Sequence, residues 1–491
     1  MARVAGGTRA AADPLFERNE EWIMTDASAG SAKAAVLALT SVASFMAALD
    51  ALVVTTALNT IRLQLGTSIE ALEWTVNAYN LSFAVLLITG AALGDRFGRR
   101  RMFVAGLALF VAASAACALA PSAGWLIAAR TMQGAGAALV MPLAMALLSA
   151  AFPPEERAKA LGLFSGLTGL ALITGPVVGG VIAEGLAWQW IFWLNVPIGL
   201  IAIPLARRHI PESFGPGTAV DNPGVALVTG AALALAWGLM RANGAGWTSL
   251  EVVGALAAGL LLALAFVAWE LRAAHPMVPM RLFRSRAFSS GIAACFAFSA
   301  SLYGTLFLLP QFLQTAQGQG PLGAGLQLLP WTATLFVVAP IAGGLVNRLG
   351  ERPLVVAGLT LQAIGMAWVA LIAAPDLPYA MLIAPLVLAG AGVSMAMPAA
   401  QNAVLSSVAA AEIGKASGTY NMFRFLGGVL GIALVVTVFA AAGHVGSPQA
   451  FGLGFAPAIG VAALLSLVGA LAGLWQPARR AAALRQAQAS A

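Results

Sequence analysis

The chain has 491 residues, of which 60% are hydrophobic and only 9% charged. Soluble proteins carry roughly 25% charged residues, so the composition excludes a soluble enzyme or nucleic-acid-binding domain and points to a polytopic membrane protein. The net charge of +7 has a topological cause, given below, and needs no nucleic-acid partner.

Residues 1–34 read as a polar cytoplasmic tail without the basic–apolar–cleavage pattern of a signal peptide. Leu15-Phe16 and Trp22-Ile23-Met24 have the look of an interfacial helix. Apolar runs of spanning length then fall at about 35–58, 75–94, 102–120, 124–149, 160–183, 190–206, 223–240, 250–270, 288–313, 323–346, 354–373, 379–398, 418–441 and 453–475. That makes fourteen crossings, so both termini share one side. Residues 476–491 form a second tail on that side.

In the first span, Asp50 is the only acidic residue well inside an apolar run. At the centre of a membrane helix an ionised Asp costs about 2.5–3.5 kcal/mol. It needs a partner, a proton or a use. In the fourth span, Arg130 sits in hydrocarbon and needs an anion or carbonyl. It lies about eight residues, roughly 12 Å, below the outer end of its span. Asp50 lies at similar depth, so the two are expected to couple, directly or through water.

The turn after the second span reads Gly94-Asp95-Arg96-Phe97-Gly98-Arg99-Arg100-Arg101. Gly98 permits a tight turn. Asp95 can accept charge-assisted bonds from Arg96, Arg99 or a facing helix end, which would make a latch between two halves. The fifth span carries Gly162, Gly166, Ala171, Gly175, Pro176, Gly179 and Gly180. Small residues four apart let helices approach closely, and Pro176 is expected to bend its helix.

Twenty-two of the 26 basic residues fall on the N-terminal tail and every second loop. The opposite face has Arg62 and Arg241, while Arg130 and Arg424 lie within spans. Basic loops stay in the cytoplasm, so both termini are expected there. The preference for arginine over lysine fits a GC-rich bacterial genome. Cys117 and Cys295 lie in apolar runs and His209, His275 and His444 are scattered, so no disulfide, metal site or cofactor is indicated.

An internal repeat runs through the chain. Residues 94–106 echo 346–358 at an offset of 252. Leu126-Ile127-Ala128, Gly134, Gly136 and Pro142 return as Leu382-Ile383-Ala384, Gly390, Gly392 and Pro398 at an offset of 256. Two bundles of like topology follow: 35–206 and 288–475, joined by a linker at 207–222 and two extra spans with their following loop at 223–287.

These motifs carry a resemblance. The chain looks like a member of the fourteen-helix drug:proton antiporter branch of the major facilitator superfamily, over about residues 35–475. Ala91-Ala92-Leu93-Gly94-Asp95-Arg96-Phe97-Gly98-Arg99-Arg100 resembles the superfamily's cytoplasmic motif, with Ala91 in place of its first Gly. Leu126 to Ala138 resembles its second motif, and Gly175-Pro176 with Gly179 its antiporter motif, Ala171 standing where Gly is usual. Leu49-Asp50 resembles the branch's first-span motif, from which Leu52, Thr55 and Asn59 depart; Trp190 to Gly199 is also branch-like.

The resemblance implies an all-α membrane fold of two six-helix bundles plus two extra helices. It implies an antiporter exporting drugs, toxic metabolites or antibiotics by alternating access, driven by protons and without a cofactor. Asp50 and Arg130 would couple protons, and Asp95, Arg96, Gly98 and Arg99 would gate the cytoplasmic side. Gly175, Pro176 and Gly179 would keep the bundle interface proton-tight. Polar groups at membrane depth give candidate substrate contacts: Tyr79, Asn80, Tyr303, Gln311, Gln314, Asn421 and Arg424, with Phe307, Phe312 and Trp331 as stacking partners. The expected setting is the bacterial cytoplasmic (inner) membrane, as a monomer among lipids. A symporter, an exporter of one metabolite, a channel and a receptor are the competing readings. No hydrolase triad, phosphate-binding loop or metal cluster suggests an enzyme or an ATP-driven pump.

Overall fold

The structure is a computed structural model that describes residues 26–215, 220–409 and 412–478. The expected interfacial helix around residues 15–24 and most of both tails lie outside the described residues. The described residues form helices and turns with no strand. Hydrocarbon offers no partner to a backbone amide, and a helix satisfies its own.

The first four crossings are α1 (Asp26–Leu65), α2 (Ile69–Phe97), α3 (Arg99–Ala118) and α4 (Ala123–Ala151). The fifth combines α5 (Pro154–Gly169) with α6 (Ala171–Gly185), and the sixth α7 (Trp190–Trp193) with α8 (Asn195–His209). A hairpin of α9 (Asn222–Ala245) and α10 (Leu250–Glu270) follows, then a 3₁₀ turn at Met280–Arg284. The second half opens with α11 (Arg286–Thr315). Its next crossing is divided into α12 (Pro321–Gln327), α13 (Leu329–Thr332) and α14 (Thr334–Leu349). The remaining helices are α15 (Glu351–Ile372), α16 (Ala380–Leu405), α17 (Ile413–Ala442) and α18 (Pro448–Leu474). Among the described residues, fourteen crossings are long and apolar enough to span a bilayer, as the sequence predicts.

Pro176, expected to bend its helix, lies inside α6. The join between α5 and α6 keeps its helical bonds, the Leu170 amide donating to the Gly166 carbonyl (3.1 Å) and the Thr174 amide to the Leu170 carbonyl (2.9 Å). One sequence expectation changes: α2 begins at Ile69 because Ser68 caps it, its Oγ accepting from the Ala71 amide at 3.4 Å. Glu73 is therefore inside a membrane helix and wholly buried, and Asp50 is not the only acid there.

The sequence repeat is a repeat of helix crossings. A Cβ on Gly136 would stand 2.7 Å from the Phe110 amide nitrogen and 2.9 Å from the Gly106 carbonyl, so only glycine lets α3 and α4 meet there. Gly358 and Gly392, their counterparts, bring α15 and α16 together in the same way, a Cβ on Gly358 standing 2.6 Å from the Gly392 carbonyl. The turns that precede α3 and α15 also match: Gly98 has φ 105° and Gly350 φ 83°, which side chains resist.

The two halves touch at the end away from the basic loops. The Pro176 carbonyl faces Gly325, and a Cβ on Gly180 would lie 2.6 Å from the Pro321 carbonyl. The Leu322 amide donates to Glu184 Oε2 (2.9 Å), and Gln314 Nε2 donates to the Thr56 carbonyl (2.8 Å). At the basic end, Gly162 and Gly166 of α5 and Gly343 and Gly344 of α14 face open space. The halves meet at one end, and at the other these faces of α5 and α14 have no packing neighbour.

Gly180→Leu is therefore expected to leave the helices intact but prevent this closure. A cysteine introduced at Thr56, which is buried, should then react several-fold faster with a membrane-impermeant maleimide. Unchanged labelling would show that Gly180 packing does not control the closed end.

Candidate functional site

Five crossings of the first half converge on Asp50. Its Oδ2 accepts from Arg130 Nη1 of α4. Its Oδ1 accepts from Gln133 Nε2 (2.8 Å) of α4 and from Asn195 Nδ2 (2.7 Å) of α8. The carboxylate thus has three donors. Arg130 also donates from Nε to the Thr75 carbonyl of α2 (3.2 Å) and from Nη1 to Gln133 Oε1 (2.8 Å). Gln133 Nε2 further donates to Ser114 Oγ of α3 at 2.8 Å. The guanidinium lies over the rings of Tyr79 at 4.3 Å and Phe192 at 5.8 Å, a favourable place for a desolvated cation. The Tyr79 hydroxyl donates to the Ala47 carbonyl of α1 at 2.9 Å. Asp50 and Arg130 side chains are both 0% exposed.

The structure pairs Asp50 and Arg130 directly. Gln133, Asn195, Ser114 and Thr75 were not assigned from the sequence. Gln133 stands one turn from Arg130, which places both on one helix face; that spacing was the available signal.

The antiporter-like segment packs on the same helix. A Cβ on Gly175 would lie 2.8 Å from Leu52 Cβ, and Gly179 sits against the Val53 carbonyl and Thr56 Oγ1. These glycines let α6 lie close to α1 one turn from Asp50. Gly180 and Pro176 on α6 meet the second half.

At the basic end, Arg99 Nε donates to Asp95 Oδ1 (2.8 Å), its partner one turn back. The rest of the turn is held by the segment after α8. The Arg99 amide donates to the Ser213 carbonyl (2.8 Å), and the Gly215 amide to the Asp95 carbonyl (3.2 Å). Glu212 accepts from the amides of Arg100 (2.8 Å) and Arg101 (3.3 Å). A Cβ on Gly98 would meet Glu212 Cδ at 2.8 Å. Arg96 is exposed, over the ring of Phe97. Of the partners expected for Asp95, Arg99 is the one met here, and residues 210–215 fold over the turn. The sequence reading did not single out Glu212.

Of the candidate substrate contacts, Tyr303 and Arg424 are hydrogen-bonded to each other beside Phe425, and the others are spread over several helices. Tyr79 belongs to the ion-pair site. Gln311 donates back to the Phe307 carbonyl (2.7 Å) and Asn421 to the Ser417 carbonyl (3.0 Å), each on its own helix. Phe312 stacks on Phe455 at 4.1 Å, and Phe307 is wholly buried. Asn80 is buried with neither amide atom bonded. Tyr303 approaches Phe425 of α17 (6.0 Å), which meets Phe83 of α2 across the interface (4.4 Å). Arg424 lies partly exposed over Phe425. A small space between the halves is lined by Leu172, Leu306, Trp331, Thr332, Val393 and Ser394.

Two repeated helical halves of like topology are the parallel arrangement of a secondary transporter. The chain belongs to the Major Facilitator Superfamily, whose family model matches residues 40–432. It is 34% identical over 407 residues to the multidrug resistance protein Stp of Mycobacterium tuberculosis (strain CDC 1551 / Oshkosh), covering 82% of this chain and 75% of that one. It is 34% identical over 408 residues to the tetracenomycin C resistance and export protein of Streptomyces glaucescens, covering 82% and 74%. Among solved structures, a POT family transporter in complex with 5-aminolevulinic acid shares the fold with a TM-score of 0.67 at 14% identity, covering 89% of this chain and 94% of that one. The family and these relatives are transporters, not enzymes.

Removing one member of a buried pair strands the other charge, at a cost of about 3–5 kcal/mol. Arg130→Gln should lower thermal stability in detergent markedly, and Asp50→Asn added to it should recover part of the loss. Equal melting of wild type and the Arg130→Gln variant would show that Asp50 does not depend on Arg130.

Proposed function

We propose that the chain is a proton-coupled antiporter that exports small amphipathic compounds, drugs or antibiotics among them, across the bacterial cytoplasmic membrane. Its basic loops and both termini face the cytoplasm, it acts as a monomer, and the proton gradient is its energy source. The observation that carries this reading is the sequestered Asp50–Arg130 network together with its mechanical neighbours. The names of the relatives support the choice of cargo.

The residues suggest how coupling would run. A proton on Asp50 cancels its charge and weakens the hold of Arg130, Gln133 and Asn195. Arg130 is then left as a buried cation and must seek another partner. Movement of α1 at this point acts on Leu52, Val53 and Thr56, which lie under Gly175 and Gly179. Helix α6 in turn bears on Pro321, Leu322 and Gly325 of the other half. The charge state of Asp50 can therefore bias the closed end through one pair of packed helices. With the basic end in the cytoplasm, the present arrangement is inward-open. The Asp95–Arg99 and Glu212 contacts would brace the cytoplasmic turn on which the first half rocks.

Asp50→Asn is expected to abolish export driven by a pH gradient in proteoliposomes while the protein still folds. Full proton-driven export by that variant would place the coupling site elsewhere. Asp95→Asn should leave insertion unchanged and increase labelling of a cysteine placed at Gly166 on the open side. Normal export with unchanged labelling would leave this turn a topology determinant only.

A further inference from the structure

We infer that Glu73, Asn77 and Asn80 form a second binding site, for an organic ammonium group of the exported compound. The inference rests on the exporter reading for its cargo and on a separate part of α2 for its evidence. The three residues are spaced four and three apart and so share one face of the helix. Thr75 and Tyr79, which serve the Asp50 network, lie on the opposite side. Further along the same stripe, Leu87 and Ile88 pack against Gly418 of α17, with a Cβ there 3.0 Å from Ile88 Cγ1. The stripe is thus on the face that α2 turns toward the second half, and Glu73 lies near its closed end.

Glu73 is 0% exposed, Asn77 0% and Asn80 1%. The bond of Asn77 Nδ2 to Glu73 Oε1, at 3.3 Å, is internal to the stripe. Glu73 Oε2, Asn77 Oδ1 and both amide atoms of Asn80 have no partner. No cation among the described residues forms an ion pair with Glu73, and the charge acting on it is another acid, Glu70. Arg241 on neighbouring α9 is committed to Glu251, at 2.8 Å. Buried polar atoms are normally paired, and here three unmet oxygens call for donors.

A proton would serve Glu73 alone. An ammonium group brings a charge for the carboxylate and further N–H donors for the two carboxamides. Arg424 makes no comparable demand, because it shares a hydrogen bond with Tyr303 and lies over Phe425. When the closed end opens, the stripe becomes a polar stop near the outer end of α2, inside exposed Glu70, and an amine leaving between the halves would pass it.

The test uses dansylcadaverine, a primary alkylammonium fluorophore, and its neutral N-acetyl derivative, with the full-length protein in proteoliposomes. Glu73→Gln should weaken binding of the amine by about tenfold and slow its transport, with the acetylated probe unaffected. If Glu73→Gln fails to fold, Asn80→Ala should show the same selective loss. Equal binding of the amine by wild type and variants would overturn the site, as would an equal loss for both probes. A change only in the pH dependence of transport would also overturn it, leaving a place for a proton or water. Wild-type protein that moves the neutral probe but neither binds nor moves the amine refutes this site and leaves the exporter standing. Glu73-dependent amine binding without any gradient-driven flux refutes the exporter and leaves the site standing.

Discussion

A charge pair in hydrocarbon holds only when nearly every oxygen and N–H is matched. Asp50 and Arg130 meet most of that demand by drawing on Gln133, Asn195, Ser114 and the Thr75 carbonyl, with Arg130 Nη2 left without a hydrogen-bond partner. Each partner comes from a different crossing or turn, so the pair fixes how α1, α2, α3, α4 and α8 stand relative to one another. The rest of the first half is arranged around that requirement. Phe192 and Tyr79 close the remaining faces of the guanidinium with aromatic rings rather than with water.

The second half repeats the helices without repeating the charges. Leu302 and Leu386 stand at the offsets of 252 and 256 from Asp50 and Arg130. The polar core there is neutral: Ser466 Oγ donates to Ser301 Oγ at 2.8 Å, and Gln362 Nε2 donates to the same atom at 3.1 Å. Hydroxyls and a carboxamide meet there without an ion pair, with Gln362 Oε1 left unpartnered, and the charge of this half, Arg424, stands apart on α17. The glycine crossings at Gly106–Gly136 and Gly358–Gly392 are shared because close packing is needed in both halves. The ion pair belongs to one.

Between these halves, α6 is the shared surface. Its glycines admit α1 on one side and α12 on the other. Small side chains here leave little to deform, so displacement of one helix is passed on rather than absorbed by side-chain rearrangement.

The sequence by itself determined the fourteen crossings, the repeat, the loop asymmetry and the common depth of Asp50 and Arg130. Hydropathy and charge are properties of each residue along the chain, and the bilayer sorts them along one axis, so a linear reading retains them. Only the tertiary structure decided the partners. Whether Asn195 reaches Asp50, or Gln311 and Asn421 turn back to their own helices, depends on how each helix is rotated and crossed. Glu212 was silent because its targets are backbone amides 111 and 112 residues away. Glu73 was cut from its helix by a linear hydropathy boundary, whereas the Ser68 cap carries α2 past that boundary. Depth follows from composition; rotation about the helix axis is set by packing, and that choice fixes which polar group finds which.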